Sequence, residues 1–205
     1  MIVIHNQEPF DHIIVKELLA PSQYQEVVDE LIFLRPRMNG PENTGASYNK
    51  QNPQDSAKSG VGVFLNSLYS DIKYSSINFH TRKLFGDPLI QEKIKGVSNY
   101  YFRHWNPENM QDSIIVQYYD HGDFYKPHVD VSIFSAVTAI YQNPKSFEGG
   151  NFRFPEFDYS IEIEDNMTLI FPSVLQHEVE PLYIEKSGQL LGRFSITNFI
   201  YQKIK

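Results

Sequence analysis

Two histidines and one aspartate are the residues of this chain whose types and spacing best fit a metal site. His128 and Asp130 form a His-x-Asp pair, and His177 lies much further along the chain. Two imidazoles and one carboxylate on one face of an octahedral Fe(II) ion leave three positions open, enough for a bidentate co-substrate and for O2. The three residues therefore predict a facial triad that supports oxidation chemistry.

The composition limits what else the chain could do. It contains no cysteine, so histidines and carboxylates are left as the anchors for a transition metal. A net charge of −7 and a pI near 5.5 argue against wrapping of nucleic acid, because that binding requires many Lys and Arg residues. The apolar runs are too short for a membrane span and the N-terminus lacks the basic flank of a signal peptide, so we expect a soluble cytoplasmic protein.

Hydrophobic periodicity predicts that helices support the site in the first half of the chain. One helix is expected from about Gln23 to Leu34 with Ser22 as its N-cap, and helical spacing returns from Val63 to Gly96. Residues 35–62 between them are rich in Pro, Asn, Gly, Ser and Gln and predict a long loop. Because long loops inside compact domains are often functional, this loop is a candidate lid over a substrate; a merely mobile surface excursion is the alternative.

Short runs of aromatic and β-branched residues predict strands in the second half. They lie at 100–105, 113–119, 131–141, 151–154, 159–163, 168–171, 178–183 and 192–201, in addition to 2–4 and 13–15 near the N-terminus. Short strands at this density indicate an antiparallel sandwich or barrel with the helices packed on one outer face. A length of 205 residues, 41% of them hydrophobic, is most simply one domain.

An ordered set of motifs surrounds the positions of the three candidate ligands in the chain. It comprises Tyr119-x-x-Gly122-x-x-Tyr125-x-x-His128-x-Asp130, then Gly149-Gly150-x-Phe152-x-Phe154-Pro155, then His177, and finally Arg193 with Phe199 six residues later. From about Ile114 to Tyr201 this order resembles the prolyl 4-hydroxylase branch of the Fe(II)/2-oxoglutarate-dependent dioxygenases. The resemblance implies a mainly β fold, a double-stranded β-helix or jelly roll with N-terminal supporting helices. We expect a single dioxygenase domain over 1–205, with helical support over about 20–96 and the catalytic jelly roll over about 97–205.

The resemblance also implies a role for each residue of the site. His128, Asp130 and His177 are then the iron ligands, and the 2-oxoglutarate contacts come from Arg193, Ser195, Tyr141 and one or other of Tyr119 and Tyr118. A planar guanidinium such as that of Arg193 binds a carboxylate bidentately and stays charged when desolvated. Alternate residues of a strand face opposite ways, so only one of the two adjacent tyrosines can point into the site. Collagen-type members carry Lys where this chain has Arg193. This difference weakens the likeness to collagen-type members more than it weakens the prediction that 2-oxoglutarate is the co-substrate.

The activity implied is hydroxylation of a C–H bond, with a prolyl residue of a protein or peptide as the predicted substrate. Fe(II) is the implied metal, 2-oxoglutarate and O2 are consumed, succinate and CO2 are released, and a role for ascorbate stays open. Substrate contacts are predicted from Tyr125, Trp105, Asn151 and Arg153. The alternatives are a free amino acid or other small molecule, an alkylated nucleic-acid base, which the acidic balance disfavours, and a jelly-roll binding module without turnover. Iron-dependent conversion of 2-oxoglutarate to succinate separates the enzyme from the binding module.

Overall fold

The fold is given by a computed structural model that describes residues 1–45, 48–52, 55–185 and 188–203. Its helices are α1 (Pro21–Leu34), α2 (Leu65–Leu68), α3 (Ser76–Thr81), α4 (Lys83–Gly86) and α5 (Pro88–Lys95). Its strands are β1 (Ile2–Asn6), β2 (His12–Lys16), β3 (Val61–Phe64), β4 (Met110–Tyr119), β5 (Tyr125–His128), β6 (Phe134–Tyr141), β7 (Glu148–Gly149), β8 (Phe152–Phe154), β9 (Tyr159–Ile161), β10 (Met167–Pro172), β11 (His177–Val179), β12 (Leu182–Tyr183) and β13 (Arg193–Gln202). Short 3-10 helices lie between several of these elements. None of the helices in this described part of the chain is both long and apolar enough to cross a bilayer.

The strands form two main antiparallel sheets. The major sheet has seven strands in the order β1-β2-β10-β6-β13-β4-β3, and the minor sheet has four in the order β5-β11-β8-β9. The short strands β7 and β12 pair with each other. The predicted mainly β jelly roll with supporting helices is therefore confirmed.

Two apolar cores hold these layers together, one on each face of the major sheet. The first lies between the helices and the sheet and includes Val27, Leu31, Ile90 and Ile196. The second lies between the two sheets and is built largely from aromatic and aliphatic side chains, Phe152, Phe154, Leu169, Phe171 and Val179 among them. Because neighbouring strand residues face opposite ways, β13 sends Phe194, Ile196 and Ile200 towards the helices and leaves Arg193, Ser195 and Thr197 for the space between the sheets.

The first helix begins earlier than the sequence predicts and is capped by a different residue. Pro21 occupies the first helical position, where its missing N–H costs nothing, and Ala20 is the N-cap. The Gln23 side chain accepts a hydrogen bond from the Ala20 backbone N–H at 3.0 Å. The prediction of Ser22 as the cap is therefore wrong. At α5 the N-cap is Asp87, whose side chain accepts bonds from the Leu89 and Ile90 N–H groups.

Some predicted elements differ in type or extent. The predicted strand at 100–105 contains the 3-10 helix Tyr101–His104 instead. The segment predicted as helix from Val63 begins within strand β3, which pairs with β4, and the predicted strand at 178–183 is divided between β11 and β12. Strand β5 was not predicted at all. These differences arise because pairing with a distant strand outweighs local propensity.

The predicted long loop at 35–62 is tied to both sheets. Asn39 and Gly62 exchange two backbone hydrogen bonds of 2.8 Å, which joins the loop to the major sheet at β3. Near its end, Ser59 N–H donates to Phe124 O at 3.0 Å and Lys126 N–H donates to Ala57 O at 2.7 Å. Residues 46, 47, 53 and 54 of this loop lie outside the described residues. Its role as a lid stays a prediction.

His12 is a buried, neutral histidine in β2 that plays no part in the site. Its Nδ1 bonds to Phe10 O at 2.9 Å and its Nε2 bonds to Asn6 Nδ2 at 3.2 Å. Since the carbonyl can only accept and the amide nitrogen can only donate, Nε2 must carry the lone pair. Burial lowers the pKa of His12, with a further contribution from His5.

Candidate metal and co-substrate site

The three predicted metal ligands lie on and just beyond the minor sheet. His128 ends β5, Asp130 follows shortly after it, and His177 begins β11 directly opposite His128. One ligand atom from each residue lies within 4.8 Å of the other two. His128 Nε2 is 3.7 Å from Asp130 Oδ1, and His177 Nε2 is 3.4 Å from Asp130 Oδ2. Strand pairing therefore brings residues that are distant in sequence into one cluster.

Both imidazoles are oriented so that Nε2 is free to bind a metal. His128 Nδ1 bonds to Lys126 O at 2.8 Å, and His177 Nδ1 bonds to Leu175 O at 2.9 Å. A ring N–H held by a carbonyl fixes the tautomer and leaves the lone pair on the other nitrogen. Burial, assisted by the neighbouring His177, lowers the pKa of His128 to about 4. The ring is therefore neutral near pH 7, which is the form that a metal requires.

The Asp130 carboxylate is oriented by buried serines. Ser135 Oγ donates to Asp130 Oδ2 at 2.5 Å, and Ser173 Oγ bonds to Ser135 Oγ at 2.8 Å. The Asp130 backbone N–H also donates to Ser173 O at 3.0 Å. Burial alone would raise the pKa of Asp130, but the interactions with His177 and the hydrogen bond from Ser135 hold it below its usual value. The carboxylate is thus ionised and fixed in orientation.

This donor set fits Fe(II). It offers two imidazole nitrogens and one carboxylate, the combination found at non-haem iron sites that keep open positions. Hydrogen bonds to the far side of each ligand add the outer support that metal sites normally have. No second cluster of His, Asp and Glu residues of this kind occurs in the part of the chain that the structure describes.

Aromatic rings line the cluster. The Tyr125 ring stacks on the His128 imidazole at a centroid distance of 3.6 Å, and the Phe152 ring stacks on His177 at 5.2 Å. Phe171 meets the His177 ring edge-on at 4.8 Å. Burial raises the pKa of Tyr125 to about 12, so its phenol is neutral. The rings restrict the orientation of the two imidazole planes.

Arg193 lies on the same inner face of the jelly roll and carries free hydrogen-bond donors. Strand pairing places it opposite Tyr119 of β4 and Tyr141 of β6, and the residue is only 1% exposed. Its Nη1 donates to Gly150 O, whereas Nε and Nη2 have no partner among the described residues. Burial lowers the pKa of Arg193, an effect that the two tyrosines oppose, and a guanidinium stays charged under such conditions. A buried cation with unpaired donors is suited to a carboxylate ligand.

Two hydroxyl groups lie between Arg193 and the metal ligands. Ser195 follows Arg193 on the same face of β13, and both Ser195 and Tyr119 line the cavity that contains His128 and Asp130. Neither hydroxyl makes a hydrogen bond within the described residues. Both are therefore available to a ligand that spans the distance from the metal cluster to the guanidinium.

Tyr118 and Tyr141 are placed differently from the prediction. Tyr118 faces the helices, where its hydroxyl accepts a hydrogen bond from Gly192 N–H at 2.9 Å and the Arg35 guanidinium lies over its ring. The structure therefore removes Tyr118 from the predicted co-substrate site, because alternation along β4 turns it away from Tyr119. Tyr141 lies beside Arg193, but its hydroxyl donates to Ile163 O at 3.1 Å.

Trp105, predicted as a substrate contact, lies outside the site. It is 9% exposed and packs between the helices and the major sheet, with its Nε1 donating to Gln91 Oε1 at 3.0 Å. The prediction is wrong because residues 101–104 form a 3-10 turn that directs the indole into the helix-side core.

Arg153 and Asn151, the two polar residues predicted to face either the barrel mouth or solvent, belong to the outer side of the minor sheet. Arg153 forms ion pairs with Glu178 at 3.2 Å and Asp158 at 3.0 Å. Asn151 precedes β8 and shares the face of Arg153 by alternation, opposite to Phe152. A contact of these two residues with substrate stays a prediction, and of the predicted substrate residues only Tyr125 lies at the cluster.

Several residues at the site were missed by sequence reasoning. Ser135 and Ser173 come from separate strand ends and meet only in the folded chain. Lys58 is 3% exposed and its Nζ lies 5.2 Å from the centre of the Tyr125 ring. Burial lowers the pKa of Lys58 to about 8, although the charge of Asp130 opposes this. A lone lysine within a polar loop gives no sequence signal of such a position.

A protein-family model confirms the predicted resemblance. Residues 114–201 match the model described as the 2OG-Fe(II) oxygenase superfamily, and this range contains the metal cluster and Arg193. The superfamily uses Fe(II) and 2-oxoglutarate, so the metal and co-substrate predicted from the sequence are also confirmed. No curated protein sequence matches the chain.

Solved structures share the fold at low sequence identity. A Pseudomonas putida prolyl-4-hydroxylase superposes with a TM-score of 0.60 at 15% identity, over 94% of this chain and 93% of that chain. A Trichoplax adhaerens prolyl hydroxylase in complex with a hypoxia inducible factor peptide fragment gives 0.59 at 16%, over 93% and 83% of the two chains. The non-heme alpha ketoglutarate dependent epimerase SnoN of nogalamycin biosynthesis gives 0.56 at 12%, over 93% and 76%. At these identities the likeness shows the fold alone, which serves more than one reaction.

Proposed function

We propose that this chain, whose residues 114–201 match the 2OG-Fe(II) oxygenase superfamily, is an oxygenase that hydroxylates a prolyl residue of a protein or peptide. The observation that carries the proposal is a buried guanidinium with two unpaired donor nitrogens on the same inner face as a His/Asp/His cluster. Bound Fe(II) and 2-oxoglutarate supply the oxidation chemistry with O2 and yield succinate and CO2. The chain supplies the ligands, a clamp for the co-substrate and the walls of the substrate site.

His128, Asp130 and His177 are the residues we assign to the metal. Their ligand atoms already face one another, and carbonyl groups hold both Nδ1 atoms, so no tautomer change is needed on binding. Ser135 keeps a hydrogen bond on one carboxylate oxygen of Asp130 and thereby restrains its rotation.

Arg193, Ser195 and Tyr119 are the residues we assign to 2-oxoglutarate. The free Nε and Nη2 of Arg193 would receive the carboxylate far from the metal, and the two hydroxyls would donate to it from the sides. Tyr141 would contribute the edge of its ring rather than its hydroxyl, which is already bonded to Ile163 O.

The prolyl substrate is supported by the walls of the open end and by the two prolyl hydroxylases among the structural neighbours. Val129 and Val131 beside the cluster are 55% and 90% exposed. Phe199 of β13 lines the cavity, and the Tyr125 ring covers His128. Apolar and aromatic side chains at a cavity mouth suit a pyrrolidine ring, which offers no donor once it lies within a peptide.

The helices at 21–95 and the jelly roll are proposed to act as one catalytic domain, since α1 and α5 pack directly on the major sheet. In that arrangement the helices stabilise one face of the major sheet, and the metal and co-substrate residues lie on the opposite face.

Mass spectrometry of proline-containing peptides tests the function. Peptides are incubated with the protein, Fe(II), O2 and 2-oxoglutarate, and with each omitted in turn. We expect a mass increase of one oxygen on a proline together with succinate formation, and neither with His128→Ala. Succinate without oxidised proline in any peptide would reject the prolyl substrate but keep the oxygenase, whereas the absence of both would reject the enzyme.

A further inference from the structure

Lys58 is a buried cation beside the metal cluster for which the proposed reaction has no use. The residue is 3% exposed and its Nζ lies 5.2 Å from the centre of the Tyr125 ring, which itself stacks on His128. One aromatic ring therefore separates the ammonium from a metal ligand. The loop that carries Lys58 contributes no other charged side chain at this point.

The position of Lys58 is fixed by its backbone. Lys58 forms an isolated β-bridge with Tyr125, flanked by hydrogen bonds from Ser59 N–H to Phe124 O and from Lys126 N–H to Ala57 O. The Ser59 hydroxyl also accepts a bond from Phe124 N–H at 3.0 Å. The segment thus extends the minor sheet beyond β5, and this pairing holds the backbone of Lys58 in place next to Tyr125.

The ammonium lacks a hydrogen-bonding partner. Lys58 forms no ion pair and no side-chain hydrogen bond with any of the described residues. Its contact with the Tyr125 ring contributes about 0.5–2 kcal/mol and satisfies none of its N–H groups. The N–H groups of Lys58 are therefore open to an acceptor that arrives from outside the chain.

The charges of the loaded site favour an anion as that ligand. A divalent metal, Arg193 and Lys58 together carry one positive charge more than Asp130 and the two carboxylates of 2-oxoglutarate can balance. Asp130 is assigned to the metal and Arg193 to the co-substrate, and Lys58 forms no ion pair within the described residues. One further negative charge would complete the balance.

We propose that Lys58 binds a carboxylate of the substrate, so that the enzyme selects a substrate with a negative charge close to the oxidised carbon. This inference rests on the proposed hydroxylation and narrows its substrate class. The carboxylate could belong to an Asp or Glu side chain of a prolyl peptide or to the main-chain carboxylate of a free or C-terminal proline. The chemistry at Lys58 is the same in both cases.

Binding to protein loaded with Mn(II) and 2-oxoglutarate tests the proposal without turnover. The probes are pairs of peptides with a central proline and with acetylated N-termini and amidated C-termini. The two peptides of a pair differ at one position beside the proline, which is Asp in one and Asn in the other, or Glu in one and Gln in the other. L-proline paired with L-prolinamide, and peptides ending in proline with and without an amide cap, test the main-chain carboxylate. Wild type is compared with Lys58→Met, which keeps the length of the side chain, and with Lys50→Met, an exposed lysine of the same loop.

For one probe pair we expect wild type and Lys50→Met to bind the acid at least about tenfold more tightly than the amide, with this preference lost in Lys58→Met. The pair that shows it identifies the source of the carboxylate. An equal preference in Lys58→Met, or no preference for the acid in wild type, would overturn the proposal. A loss of about tenfold or more in 2-oxoglutarate affinity in Lys58→Met would also overturn it, since Lys58 would then belong to the co-substrate.

Acetate and acetamide separate this inference from the prolyl substrate. They are added to the same loaded proteins, and binding is followed by the shift in melting temperature. We expect acetate, and not acetamide, to stabilise wild type more than Lys58→Met. If no prolyl probe binds wild type, the prolyl substrate fails and the acetate result alone decides the role of Lys58, with equal shifts in the two proteins rejecting it.

Discussion

Replacement of Arg193 by methionine should change 2-oxoglutarate binding and protein stability in opposite directions. Methionine replaces the apolar stem of arginine and removes the guanidinium. Two donors, Nε and Nη2, have no partner among the described residues and would both be used by a carboxylate. Hydrogen bonds to charged groups contribute about 1.5–3 kcal/mol each, so we expect a loss on the order of 3 kcal/mol, or more than about a hundredfold in affinity.

Without 2-oxoglutarate, the same substitution removes two buried donors that have no partner among the described residues and that lower the free energy of unfolding. Each buried donor without a partner is unfavourable by about 1–3 kcal/mol, whereas the single bond to the Gly150 carbonyl contributes about 1.5–3 kcal/mol. The two effects nearly cancel or favour the variant. We therefore expect the free energy of unfolding of Arg193→Met to equal or exceed that of wild type when the co-substrate is absent.

Two measurements check this. Calorimetric titration of 2-oxoglutarate into Mn(II)-loaded protein gives the affinity, and urea denaturation without ligand gives the stability. Arg153→Met is the matched control, because that arginine forms its ion pairs on the outer face of the minor sheet. Wild-type affinity in Arg193→Met would refute the assignment of the clamp, and a stability loss above about 3 kcal/mol would show that the guanidinium is satisfied within the fold.

Three further predictions concern the metal, its support and the pH dependence of stability. Mn(II) at about a hundredfold excess over its dissociation constant should stabilise wild type by roughly 2.7 kcal/mol and leave the melting temperature of His128→Ala unchanged. Ser135→Ala should weaken Mn(II) binding by about tenfold, measured by titration, because Asp130 loses the hydrogen bond that orients it; unchanged affinity would contradict this. Because burial lowers the pKa of His12, the unfolded chain binds its proton more readily, so its contribution to stability is complete above pH 6.5 and declines as the pH falls below that value. Urea denaturation across this range should therefore show a shallower pH dependence for His12→Gln than for wild type, and identical slopes would show that His12 does not contribute.

The metal cluster could be predicted from the sequence because its signal is local. A His-x-Asp pair already brings two ligands close together, and only the distant His177 requires the fold. The jelly roll was also predictable, since its strands show as separate apolar runs. Strand β5 was missed because its four residues include Lys126 and Pro127 and show no alternation of apolar side chains, and its partner β11 is distant in sequence.

The supporting residues could not be predicted because each depends on pairing between distant segments. Ser135 and Ser173 have no special pattern of their own and become a hydrogen-bonded pair only when β6 aligns with β10. Lys58 reaches the site because its loop pairs with β5, which the sequence did not reveal. Trp105 was assigned to the site for its residue type alone, and its backbone conformation directs it elsewhere.

The choice between Tyr118 and Tyr119 shows what strand register adds to the sequence. A shift of β13 by one residue against β4 would turn Arg193 away from the inner face, where Tyr119 lies, and towards the helices. Gly192 restricts this register, because a β-carbon there would collide with the Tyr119 carbonyl oxygen, so the strands approach closely only with glycine at this point. The Gly192 N–H also donates to the Tyr118 hydroxyl and thereby holds that tyrosine on the helix side. The residue that precedes the clamp therefore determines which face the clamp occupies, although it contacts neither the metal cluster nor the free donors of Arg193.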